Sequence, residues 1–175
     1  MLAYVTIAGR GETDDLIAGA VARLSAAGLR LAGTVRAAPV DPGGHPCDMD
    51  LRVLPDGPAF RISQPLGRGA RGCRLDGGVI AAIATEVEAR LPGADLLVVN
   101  KFGKQEALGR GLCPAIAMAM DRGIPVLVGV NAMNLPGLLA FAGGLAERLA
   151  PTADAICAWA GRAGAGARLA PLASG

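Results

Sequence analysis

The sequence predicts an α/β fold of three layers, a mainly parallel sheet with helices on both faces plus a β-hairpin. Three observations carry that expectation. Short, almost wholly apolar runs at 2–8, 95–100 and 125–130 have the pattern of strands buried on both faces. Segments of helical periodicity lie between them, and strands that alternate with helices build parallel sheets. Two further runs, DMDLRVLP and PAFRISQ, flank Asp56-Gly57, a dipeptide that favours hairpin turns. The 175-residue length suits one domain, expected over 1–162, with 163–175 as a loose tail.

LAYVTIA at 2–8 is the first strand, closed by Gly9. In the segment that follows, Leu16, Ile17, Ala20, Val21 and Leu24 recur at helical spacing. Thr13 or Asp14 is placed to cap its start, and Gly28 to end it. RLAGTVR at 30–36 completes a strand–helix–strand unit. After a loop at 37–47 comes the hairpin, where Asp48, Asp50 and Arg52 alternate with Met49, Leu51 and Val53, so one face should be wet. A Gly- and Arg-rich loop leads to Asp76, a plausible cap for a helix that turns Val79, Ile83, Val87 and Leu91 inward, or alternatively Ile80 and Ala84. DLLVVN at 95–100 is the clearest buried strand. KFGKQEALGRGLC reads as a long polar loop or a broken helix, and Pro114 suits the first turn of the helix after it. PVLVGV is the next strand, a Gly-weakened helix is expected from Asn134 to about Leu149, and ADAICAWA is expected as a last strand.

Seventeen basic against 15 acidic residues leave a net charge of +2, which offers nothing general to nucleic acid or to an anionic membrane. Five aromatics are too few for a base-stacking platform. No run reaches the roughly 18 apolar residues of a membrane span, and the first residues carry no basic leader. Four widely spaced cysteines without a CxxC fit reduced thiols, so the expected location is cytoplasmic. The one histidine cannot build a Ser/His/Asp triad, and His45, Cys47, Asp48 and Asp50 match no closed zinc set, so no metal site is expected. Cys113 and Cys157 sit in apolar contexts and read as core, whereas Cys73 lies among arginines.

In parallel sheets ligands sit beyond the carboxyl ends of the strands, and three polar loops, Gly9–Asp15, Asn100–Arg110 and Asn131–Asn134, leave such ends. Gly9-Arg10-Gly11-Glu12-Thr13 joins a strand to a helix N-terminus, where free N–H groups and the helix dipole favour an anion. The turn is too short for GxxxxGK[ST] and has no lysine, leaving Thr13 as its only hydroxyl. It reads equally as a plain turn whose acids complement the dipole. Asn100-Lys101-Phe102-Gly103-Lys104-Gln105-Glu106 holds both lysines of a chain with fifteen arginines. It reads as an oxyanion-facing edge with Glu106 as the one candidate general base, or as a solvated charged loop. The loop at 67–76 places Arg68, Arg71 and Arg74 among glycines, where planar donors suit a tetrahedral oxyanion, unless the loop is simply surface.

AGRGETDDLIAGAVARL, ISQPLGRGARGCRLD, DLLVVNKFGKQEALGRG and Gly143-Gly144 together resemble a bacterial family of unknown function. The resemblance runs to about Trp159. It implies genes encoded beside molybdenum-transport genes, and in some members a domain linked to molybdate transporter ATPases. That family is in turn remotely similar to small P-loop nucleoside triphosphatases, in which an acidic pair precedes an Ile-Gly-Lys-Met-Glu-like stretch. Asn100 and Lys101 stand where those acids would be, while Gly103, Lys104 and Glu106 match the rest.

The resulting expectation is a P-loop-derived protein with degenerate nucleotide motifs. It would bind a small oxyanion, molybdate-like or phosphate, through Gly9, Arg10, Gly11, Thr13, Arg71, Arg74, Lys101 and Lys104. Molybdenum uptake or homeostasis is the role the resemblance implies. The alternatives are a nucleoside triphosphatase or nucleotide-dependent enzyme, with Glu106 activating water, and a regulatory module that binds a molybdate-transport component. No cofactor is required, and molybdate or a nucleotide is the expected ligand. A second copy of the chain or a molybdate-transport component is the expected macromolecular partner.

Overall fold

A computed structural model describes residues 1–37, 50–64 and 74–165. The elements run β1 (Leu2–Val5), α1 (Glu12–Ala26), β2 (Leu31–Arg36), β3 (Asp50–Leu54), β4 (Ala59–Arg61), β5 (Ser63–Gln64) and β6 (Arg74–Leu75). They continue with α2 (Gly77–Arg90), β7 (Leu96–Phe102), α3 (Lys104–Ala107), α4 (Cys113–Asp121), β8 (Val126–Val130), α5 (Leu135–Ala142), β9 (Ala146–Arg148) and α6 (Ala153–Ala160). Seven strands share one sheet in the order β4-β3-β2-β7-β8-β1-β9. Strands β2, β7, β8, β1 and β9 are parallel, and the β3–β4 hairpin extends β2 antiparallel. This is the three-layer α/β architecture expected, compatible with a P-loop nucleoside triphosphatase-like fold.

The period-two alternation of buried strands divides the core between the two faces. Leu2 and Tyr4 of β1, with Leu97 and Val99 of β7, pack against Ile83 and Val87 of α2 and Ile116 of α4. Ala3, Val5, Leu96 and Val98 pack on the other face against Ile17, Val21 and Leu24 of α1 and Ile156 and Trp159 of α6. Close strand approach is bought with glycine at Gly33, whose φ of 113° and lack of a side chain accommodate the Val98 carbonyl.

Three expectations need correction. ADAICAWA is the helix α6: Ile156, Trp159 and Ala160 fall at the helical spacing of three and four, and Thr152 caps it by accepting the Ala155 N–H at 3.2 Å. The helix expected to reach Leu149 ends at Ala142, because Gly143 and Gly144 both take positive φ. The chain then pairs β9 in parallel with β1. Finally, among the described residues the face expected to be wet is exposed at Arg52 but not at Asp50. Asp50 is buried, because Arg61, directly opposite in the ladder, covers it with an ion pair of 3.2 Å.

Past α6, Gly161–Ala165 forms a widened helical turn in which Ala163 still packs on the α1–α6 core. The remainder of the tail, 166–175, and the loop at 38–49 lie outside the described residues. No described helix is long and apolar enough to cross a membrane.

Candidate functional site

Strands β7, β8 and β1 are neighbours and parallel, so their carboxyl ends open on one edge. A cleft of about 480 Å³ lies there, lined by Gly9, Arg10, Gly11, Thr13 and Asp14 after β1, Asn100 and Lys101 of β7, and Asn131 after β8. Gly11 supplies the turn with φ 81° and stands at the N-cap of α1, where no side chain caps the helix. Thr13 and Asp14 therefore do not cap α1 as expected. The Thr13 hydroxyl instead accepts the Ile7 N–H at 3.0 Å, which ties the turn to the end of β1 and leaves its own proton to donate.

Asn100 organises the cleft from beneath. It is 2% exposed, and its amide group donates to Asp14 at 3.0 Å and accepts the Arg36 N–H at 3.2 Å. Its own N–H donates to the Thr34 hydroxyl at 3.3 Å. One buried polar side chain thus joins β7, β2 and α1, as a buried amide must when water cannot reach it. Burial raises the Asp14 pKa above its ordinary 3.8, against the opposing pull of Lys101, Arg36 and the Asn100 hydrogen bond. Asp15, its neighbour, pairs with Arg36 at 3.1 Å and faces solvent.

Strand β7 continues two residues past Asn100, with a register shift between Val99 and Phe102, and the chain then enters α3. The broken-helix reading of this segment is the one that holds. Lys101 and Lys104 are both exposed and line a second cleft together. Glu106 is buried. Its Oε2 accepts the Gly103 N–H at 2.9 Å, and its Oε1 accepts the Leu112 N–H at 3.1 Å. Cys113 donates its thiol to the Glu106 carbonyl at 3.1 Å, and burial pushes that thiol up to about 11, helped by the nearby Glu106 charge. The core reading of Cys113 holds, while Cys157 is half-buried.

Of the residues expected to bind an anion, the first cleft gathers Gly9, Arg10, Gly11, Thr13 and Lys101, and Lys104 lies on the second. Arg74 belongs to β6, which runs into the Asp76-capped start of α2, where Asp76 accepts the Gly78 N–H at 2.9 Å. The Arg74 side chain lies outside the described residues, as do Arg68, Arg71, Cys73, His45, Cys47 and Asp48. Asn131 opens the polar loop expected after PVLVGV, and it lines both clefts. Its side chain accepts the Asn134 N–H at 2.9 Å and so fixes the loop into α5. Among the described residues no three His, Cys, Asp or Glu side chains converge as a metal site.

A family model described as "Protein of unknown function (DUF2478)" matches residues 2–159. The chain belongs to the DUF2478 family. The first cleft and the second lie wholly within the span that defines this DUF2478 membership. The molybdenum import ATP-binding protein ModC 2 of Bradyrhizobium diazoefficiens is 37% identical over 149 residues. That alignment takes in 85% of this chain but 17% of the relative, so the DUF2478 chain spans a small part of that protein's length. No solved structure matches the chain.

Proposed function

We propose that this protein binds a small oxyanion, molybdate-like or phosphate, at the carboxyl edge of its sheet, in the service of molybdenum uptake or homeostasis. The observation that carries the reading is the convergence of the Gly9–Gly11 turn, the uncapped start of α1, Thr13 and Lys101 on one cleft. Such a cleft offers N–H groups, a hydroxyl and an ammonium to an anion without a metal. At the strand end where a magnesium-holding acid would stand, Asn100 spends its amide on Asp14 and the Arg36 backbone. The link to molybdenum rests on the molybdenum import ATP-binding protein, to which the family membership adds no activity.

A nucleoside triphosphatase or nucleotide-dependent enzyme is the second reading, favoured by the relative's description as ATP-binding and by the strand order. It would need Glu106 to activate water, and both oxygens of that carboxylate already accept backbone N–H groups.

Calorimetry against molybdate, tungstate, sulfate, phosphate, ATP and GTP, with and without magnesium, separates the two. The expected result is magnesium-independent oxyanion binding, weakened about tenfold or more by Lys101→Ala, the loss of one charge-assisted contact. Magnesium-dependent nucleotide binding with phosphate release would overturn it. If neither class of ligand binds, the regulatory module directed at a transport component takes its place.

A further inference from the structure

The second cleft is not explained by an inorganic anion. It has a volume of about 290 Å³ and opens on the other side of the β7 end. Ile62, Ile80 and Ile83 with Leu112 give it aliphatic walls, and Lys101 and Lys104 add two amines. The buried polar groups beside it are already satisfied. Glu106 accepts from Gly103 and Leu112, and Asn100 is spent on Asp14, Arg36 and Thr34. Neither lysine makes an ion pair within 4.0 Å among the described residues, and these are the only lysines in the chain.

Aliphatic walls give a bare tetrahedral anion nothing, and amines give a hydrocarbon nothing. A ligand that carries both an anionic head and an apolar body uses both. The two clefts share Asn100, Lys101 and Asn131, so a head placed in the first lies against the entrance of the second. An apolar cavity of about 150 Å³ is enough for benzene, which leaves room here for one ring or a short branched alkyl group.

We propose that the second cleft receives the organic part of an oxyanion ester, so that the ligand class is an organic phosphate with an apolar substituent of single-ring size. This rests on the oxyanion reading above, and adds to it a site and a reason for selectivity. The anion supplies charge complementarity at Lys101, and the substituent supplies burial against Ile62, Ile80 and Ile83.

The test titrates the full chain with inorganic phosphate and with phenyl phosphate. Phenyl phosphate should bind about tenfold or more tightly, the gain expected from burying much of one ring face. The ratio of the two affinities should fall toward one in Ile80→Asn, which places an amide on a half-buried wall position. Should that variant not fold, saturation transfer from isoleucine and leucine methyls to the phenyl protons gives the same answer on the unaltered protein. Equal affinities for the two ligands, or a gain that survives Ile80→Asn with no methyl transfer, would overturn the ester proposal and leave the oxyanion reading standing. Absence of binding by phosphate, phenyl phosphate and molybdate alike would overturn both.

Discussion

The β1–α1 turn and the β7–α3 turn leave the same edge of the sheet, and each carries an acid close behind a glycine. They put those acids to opposite uses. Glu106 turns back on its own loop, buries itself, and spends both oxygens on the N–H groups of Gly103 and Leu112. Asp14 stays half-buried on a cleft wall, held through one oxygen by Asn100, with Lys101 as its largest opposing charge. The β7–α3 turn is closed by its own carboxylate, whereas the β1–α1 turn holds Asp14 on the wall of the first cleft. An acid near a strand end is therefore not by itself a candidate base. What matters is whether backbone donors have already claimed it.

Breaking the closed turn should have the largest effect. Glu106→Ala strands two N–H groups in a buried setting, at about 1–3 kcal/mol for each unsatisfied donor, so a loss of about 3 kcal/mol in urea unfolding is expected. Glu106→Gln keeps one acceptor and sets an amide donor against the other N–H, and should lose about half as much. Equal, small losses from both variants would mean that the carboxylate does not close the turn. Cys113 gives an independent readout. Its buried thiol, pushed up to about 11, should resist alkylation at pH 8 in the native protein and react in Glu106→Ala.

A smaller effect is expected one residue before Leu112. Gly111 has φ 59°, and a Cβ there would collide with the Glu106 carboxylate. Gly111→Ala should cost about 1–2 kcal/mol by combining left-handed strain with displacement of that acid. Gly109, with φ 73° and open space around it, is the control: Gly109→Ala should cost the backbone strain alone, about 1 kcal/mol. A larger loss at Gly109 than at Gly111 would count against the closed turn.

The sheet was legible because buried strands announce themselves. DLLVVN and PVLVGV have no reading but a two-face burial, and they became β7 and β8. The last helix was misread as a strand because a short, alanine-rich segment such as ADAICAWA has almost no periodic contrast. Only Ile156 and Trp159, three apart, distinguish the faces. At the site, residue types gave away more than their partners did. Lys101 and the Gly9–Gly11 turn stood out by composition and position. The engagement of Glu106 with Leu112, and of Asn100 with Arg36 some 64 residues earlier, depends on tertiary packing that no local pattern encodes. An asparagine closing an otherwise apolar run was the one available signal that a buried polar hub lay there.

Lys101→Ala sharpens the open side of the comparison. The side chain is exposed and makes no ion pair among the described residues, so its removal should change stability by less than about 0.5 kcal/mol. Its effect should instead show in binding, as the weakened oxyanion titration. A variant that unfolds more easily and binds unchanged would make Lys101 a structural residue.

The smallest effect on binding belongs to Asp14. Its folded pKa lies above the ordinary 3.8, chiefly because burial disfavours the charge. Asp14 therefore contributes stability that is fully present below pH 3.8 and is lost as pH rises through the folded value. Asp14→Asn removes that loss and keeps an oxygen to accept from Asn100. The variant should match the wild type at low pH and exceed it near neutrality, by less than about 1 kcal/mol because solvent screens a half-buried group. Like charge on the cleft wall also opposes an anion, so Asp14→Asn should tighten oxyanion binding several-fold at pH 7 and less at pH 4. Unfolding and titration across that range read the two effects separately. A stability gain without a change in affinity would place the Asp14 carboxylate off the anion's path, and a loss of affinity would mean that the ligand brings a donor to Asp14.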